Sequence, residues 1–272
     1  VIPAHDEEQL LGACLASVMA AARHPGLAGE AVTVVVVLDA CRDGSAAIVA
    51  RLANEQLTNE QLTNERLANE RLGNGRLGNG RSVTERLTAK KTPTTLVGLS
   101  VGFTNVGMAR HAGALQALDE GARWLAFTDA DTVVRPDWLV RQCASRADVV
   151  CGGVRLAGWH ALPQRLRRQY LALRRECPDG RHVHGANLGV DADAYRAVGG
   201  FPPLASHEDI QLVASLQHHG FRVAWLDALR VITSGRCNAR APEGLGARLN
   251  VLQESALQES ALPEGAEPRP AG

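Results

Sequence analysis

Between Val32 and Leu38 the sequence reads VTVVVVL. Side chains branched at Cβ are stiff at χ1 and favour the extended backbone. An apolar run this short and this continuous is the mark of a strand covered on both faces. It falls well short of the roughly eighteen apolar residues that a membrane span needs. Such a strand needs a layer of helices above it and another below, and this requirement bounds the fold class.

The rest of the chain supplies those layers. Val1 to Pro3 reads as the end of a strand, and Glu7 to Ala22 as a helix with Leu10, Leu11, Cys14, Leu15 and Val18 on one face. A helix is expected from Ser45 and a strand from Thr95 to Val101. Gly107 to Gly121 follows as a helix carrying Ala109, Ala112, Leu115 and Leu118. Trp124 to Thr128 is a strand, Pro136 to Ala144 a helix and Asp148 to Val154 a strand. This alternation predicts an α/β fold, with a mainly parallel central sheet and helices on both faces. Ligands of such sheets bind at the carboxyl ends of the strands. The polar clusters HDEE, DACRDGS and TDADT all fall there.

One stretch does not belong to this pattern. From Arg51 to Gly80 the chain tiles in five-residue blocks, RLANE through RLGNG. A five-residue step turns a helix by about 500°, so the leucines spiral round every face and cannot be buried together. The reading is a single domain over residues 1–250, interrupted at 51–90 by a low-complexity surface insertion, helical at its start and disordered at its Gly-rich end. LQESA occurs twice from Leu252 to Ala261, and the tail over 251–272 reads as solvated coil.

Lys+Arg number 29 and Asp+Glu 29, so the chain lacks the basic excess of a nucleic-acid binder. Aromatics at 4% argue against a base-stacking platform. The six cysteines form no C-x-x-C pair, which leaves a zinc ribbon unsupported and makes a reducing compartment, the cytoplasm, the expectation. The first residues read as a strand followed at once by acids, unlike a signal peptide. Arg165, Arg167, Arg168, Arg174 and Arg175 lie on an expected helix, whose solvated face could meet an anionic acceptor or a membrane surface.

Asp129 and Asp131 flank a single alanine at the end of an apolar strand. Two carboxylates so close repel one another unless a cation lies near. An all-oxygen pair suits Mg²⁺ or Mn²⁺, which keep waters and substrate phosphates as further ligands. The bland alternative is a turn in which an Asp caps the next helix.

VIPAHDEE, VVVVLDACRDGS, NVGMARHAGALQA, FTDADT, GANLGVDADAYRAVGGF and HEDIQL occur in that order. The ordered set resembles family 2 glycosyltransferases, which have the GT-A fold and use nucleotide-diphospho-sugars; the resemblance covers about residues 1–50 and 95–235. It implies that Pro3, Ala4, His5 and Glu7 lie near the nucleoside, with Asp6 where the family has Asn. By the same resemblance Asp39 reads the nucleobase, within an altered DACRDGS, and Gly107 and Arg110 lie near the diphosphate. Asp131 would bind the metal directly, and Asp129 the ribose or the metal through water. Asp209 would be the base that deprotonates the acceptor hydroxyl, and Glu208 would orient the acceptor. Read as an ordinary helix start, the same segment has Ser206 as N-cap and two acids favoured by the dipole.

The segment from His184 to Phe201 resembles the acceptor-side wall. After Leu229 to Ile232, where some relatives supply a histidine to the metal, the chain has Thr233, Ser234 and Gly235. QRLRR at Gln164 lacks the Trp of processive polymer synthases. The expected activity is metal-dependent sugar transfer to a hydroxyl acceptor, with inversion. The alternatives are a non-catalytic sugar-nucleotide-binding paralogue and a DxD phosphatase of haloacid-dehalogenase type. For the latter, the needed downstream lysine is missing: Lys90 and Lys91 lie upstream.

Overall fold

The computed structural model describes residues 1–55, 94–161, 163–175 and 181–236. Its first half is a three-stranded parallel sheet of β1 (Ile2–Ala4), β2 (Val32–Asp39) and β3 (Thr94–Val101), with β2 in the middle. α1 (Leu11–Ala22) follows β1, a helix over 45–55 (α2) follows β2, and α3 (Val106–Asp119) follows β3. The β2 run is covered on both faces, as its composition requires. Val34, Val36 and Leu38 join the core cluster formed with α1, while Val35 and Val37 join the one formed with α3. Each fully buried valine stabilises the fold by on the order of 1.5–3 kcal/mol.

The second half is a five-stranded sheet in the order β4-β7-β6-β8-β5. Its strands are β4 (Trp124–Phe127), β5 (Thr132–Val133), β6 (Val149–Leu156), β7 (Leu188–Asp191) and β8 (Val223–Thr233). The helices are α4 (Trp138–Ala144), α5 (Gln164–Arg175), α6 (Ala192–Ala197) and α7 (Glu208–His218). Here the mainly parallel expectation holds only for β6 with β8. β7 runs antiparallel to both β4 and β6, and β5 antiparallel to β8. The two sheets are stitched at the first residue: the Val1 nitrogen donates to the Ala126 carbonyl at 2.8 Å, and the Thr128 N–H to the Val1 carbonyl at 3.2 Å. That brings the carboxyl ends of β1, β2 and β4 to one edge.

α3 lies on the sheet through small residues. A Cβ on Gly113 would stand 2.6 Å from Val1 Cγ1 and 2.7 Å from Val37 Cγ2. The buried face is therefore Ala109, Gly113, Ala114, Ala117 and Leu118, and Leu115, expected to share it, is 46% exposed. The first repeat block is not surface insertion: Leu52 and Ala53, on α2, pack against the core. The rest of the repeat, residues 56–93, and the tail lie outside the described residues. Among the described residues no helix is long and apolar enough to cross a membrane.

Candidate active site

The loops after β1 and β2 are laced together. The Glu7 N–H donates to Ser45 Oγ at 2.9 Å, Glu8 N–H to Asp43 Oδ2 at 2.8 Å, and Arg42 N–H to Asp6 Oδ1 at 2.6 Å. Asp6, at φ 52°, holds a backbone shape that non-glycine residues adopt mainly when Asn or Asp. His5 is exposed, and its Nδ1 lies 2.6 Å from the Asp39 carbonyl. The Asp39 carboxylate is buried at the end of β2 and takes three backbone N–H groups: Phe103 at 2.7 Å, Thr104 at 2.9 Å and Asn105 at 3.0 Å. It fixes the turn from which Asn105 then caps α3, accepting from the Met108 N–H.

Asp129, Ala130 and Asp131 form the loop between β4 and β5. α1 holds it from below, through Cys14 Sγ to the Asp129 carbonyl at 3.3 Å and Ser17 Oγ to the Val134 N–H at 3.0 Å. β8 holds it from the side: Thr132 Oγ1 donates to Thr233 Oγ1, which donates to Asp131 Oδ1, each at 3.0 Å. Burial pushes the Asp131 carboxyl up to about 6, and the charge of Asp129 pushes the same way, against Arg236.

Two guanidinium groups meet this pair. Arg110, on α3, is 5% exposed and donates both to Asp129 Oδ1 and to Glu208 Oε1. Arg236, just beyond β8, donates to both Glu7 oxygens and lies 3.3 Å from Asp131 Oδ2. Glu208 is 4% exposed and its carboxylate accepts from Arg110. Asp209, the next residue, is partly exposed and accepts from the Gly185 N–H at 2.6 Å. The segment 185–187 is itself pinned by Asn187. Its amide donates to the carbonyls of Gly153 and Leu229 and its oxygen accepts from Trp138 Nε1.

So Arg110 joins Asp129 to Glu208 across the gap between the β4–β5 loop and α7, Arg236 joins Glu7 to Asp131, and Asp209 is held apart from both, on the Gly185 N–H. Pro3, Ala4 and His5 line the end of β1, and Gly107 lies against the carbonyls of Pro202 and Leu204. Ser206 does not cap α7: His207, at φ 62°, is the cap residue and its side chain makes no capping bond, while Ser206 Oγ is buried with no hydrogen-bond partner among the described residues. Arg236 and Asn187 are the site residues that spacing did not reveal.

The donor set fits a hard divalent ion. It is all oxygen, carried on one loop, and Asp129 Oδ2 takes no hydrogen bond among the described residues. The fit has a condition, that Arg236 cede Asp131 Oδ2. With its carboxyl pushed up by burial, Asp131 binds its proton more tightly folded than unfolded. Its ionised form therefore costs stability, and the cost grows as pH rises from about 4 through about 6. Asp131→Asn is expected to raise the melting temperature of the ligand-free protein at pH 8 by about 2–4 °C. The gain should shrink toward pH 3, where wild type holds the proton in both states. A gain equal at both pH values would refute the assignment.

The chain matches no protein-family model and no curated protein. Solved structures do match it. Residues 1–349 of S. aureus TarS in complex with UDP-GlcNAc superpose with TM-score 0.55 and 15% identity, over 98% of this chain and 67% of that one. The mannosyltransferase PcManGT from Pyrobaculum calidifontis, in complex with GDP-Man and Mn²⁺, gives 0.53 and 16%, over 98% and 64%. Glucosyl-3-phosphoglycerate synthase from Mycobacterium tuberculosis, in complex with phosphoglyceric acid, gives 0.50 and 13%, over 97% and 80%. The fold is that of the GT-A glycosyltransferases. At these identities the likeness is one of fold, and the chain spans about two thirds of the length of TarS 1–349 and of PcManGT.

Proposed function

We propose that the chain is a family 2 glycosyltransferase, a single GT-A domain that moves a sugar from a nucleotide-diphospho-sugar to a hydroxyl acceptor with inversion. The observation that carries this reading is the Arg110 bridge, which ties the DxD loop to the helix bearing Asp209. The bridge seats the loop bearing Asp129 against the first turn of α7, which supports a donor side and an acceptor side that adjoin.

The roles follow from placement. The loops after β1 and β2 receive the nucleoside, and Asp39 keeps their neighbour, the 103–105 turn, in shape. Asp131 and Asp129 would hold Mg²⁺ or Mn²⁺. That ion, when bound, supplies positive charge to the departing nucleoside diphosphate. Asp209 accepts from the Gly185 N–H on one oxygen and from the Ile210 N–H on the other, and each oxygen keeps a lone pair for the acceptor. It takes the hydroxyl proton as the acceptor oxygen bonds to the anomeric carbon and the bond to the diphosphate breaks. Glu208 and Arg110 keep the first turn of α7 seated beside the donor.

A thermal-shift series with UDP- and GDP-sugars, with and without Mn²⁺, tests the donor half. One nucleotide at about a hundred times its Kd should stabilise the protein by about 3 kcal/mol, a shift of about 5–10 °C. Asp131→Asn should abolish the part that depends on Mn²⁺. If no sugar nucleotide shifts the transition, the donor reading is wrong. Binding without turnover on any acceptor would favour the non-catalytic paralogue.

A further inference from the structure

Arg236 is the feature that the reading above leaves unexplained. It follows β8 directly, at the carboxyl end of a strand that already fixes the DxD loop through Thr233. Its guanidinium lies between two acids of different loops. Its two terminal nitrogens take both oxygens of Glu7, and one of them, Nη2, also lies 3.3 Å from Asp131 Oδ2. Glu7 is itself buried, and its N–H is anchored on Ser45, so the guanidinium has a fixed seat rather than a surface partner. Four carboxylates, those of Glu7, Asp129, Asp131 and Glu208, meet two guanidinium groups among the described residues, Arg110 and Arg236.

Arg110 cannot leave: it is nearly fully buried between Asp129 and Glu208. Arg236 can. Its side chain is 30% exposed, its contact with Asp131 is the looser of its two, and Glu7 suffices to hold it nearby. We infer that Arg236 is a resident counter-ion of the donor site, which occupies Asp131 in the empty protein and keeps bare divalent ions out. This inference rests on the donor reading for its purpose but not for its geometry. An arriving diphosphate gives the guanidinium a better, bidentate partner. Asp131 is then released to the ion that travels with the nucleotide, and Arg236 remains as a second cation on the leaving group. Metal and donor consequently enter together.

The test uses Mn²⁺ alone, with no nucleotide, counted by the loss of the free-ion electron paramagnetic resonance signal. It is run at about 0.5 M salt, where charges beyond a few ångströms are screened. Arg236→Gln is expected to bind bare Mn²⁺ at least about tenfold more tightly than wild type, the change expected when an opposing charge next to a carboxylate is removed. Arg236→Lys, which keeps a cation on Glu7, should stay within about threefold of wild type. Should the glutamine variant not fold, as judged by circular dichroism, Arg236→Met gives the same comparison with a side chain of similar length. Equal or weaker Mn²⁺ binding by the charge-removed variant overturns the inference, as does an absence of Mn²⁺ binding in every variant. Because no tube contains nucleotide, a failure of the sugar-nucleotide reading leaves this contrast intact, and the two can fail separately.

Discussion

Asp209→Asn is expected to lower turnover by about 10²–10⁴-fold while donor affinity changes by less than about threefold. A positioned base contributes this much when proton removal accompanies bond formation. The asparagine keeps the shape and can still accept from the Gly185 N–H, which holds Asp209 at 2.6 Å, but it cannot take a proton. Asp209 touches neither Arg110 nor the DxD pair in the hydrogen-bond network, so the donor side should not register the change. Single-turnover rates on the variant, beside a donor titration, check both halves of the expectation. Retained turnover would move the base elsewhere. Weakened donor binding would mean that the two sides of the cleft are not separable.

The larger effect on the fold itself is expected at Arg110. Arg110→Met should cost about 3–5 kcal/mol and lower the melting temperature by about 10 °C, because it strands buried Glu208 without a cation. Surface ion pairs such as Arg196 with Asp193 are worth a small fraction of that. The penalty comes from the abandoned charge rather than from the lost attraction. Removing both charges, as Arg110→Met with Glu208→Gln, should therefore recover part of the stability and none of the activity. Chemical denaturation of the four proteins of this cycle measures the coupling. A double variant no more stable than the single one would show that packing, not charge, sets the value of Arg110.

The sequence made the strands and their order visible because burial on both faces leaves a compositional trace, as in VTVVVVL. Asp129 and Asp131 stood out as two like charges flanking one residue at the end of a strand, whereas Asp209 rested on the resemblance alone, since acids at a helix start also have a structural reason to be there. What it hid depends on direction and reach. LGVD is too short a run to stand out as a strand, and local composition does not say which way a strand runs, so β7 and its antiparallel pairing with β4 and β6 went unread. The face of α3 was set by how closely Gly113 lets the helix approach β1 and β2, which exposed Leu115. Adjacent acids at a helix start point apart, so Glu208 went inward while Asp209 stayed open. Arg236 crosses from one sheet to a loop of the other, a partnership between residues 229 positions apart that no local spacing encodes.

Gly185 shows what the seat of Arg110 demands of its surroundings. A Cβ at residue 185 would fall 2.4 Å from Arg110 Cζ, on a guanidinium that its two carboxylates prevent from stepping aside. Gly185→Ala is therefore expected to push the guanidinium off Asp129 and Glu208, and a shorter side chain at 110 to make room for that methyl group.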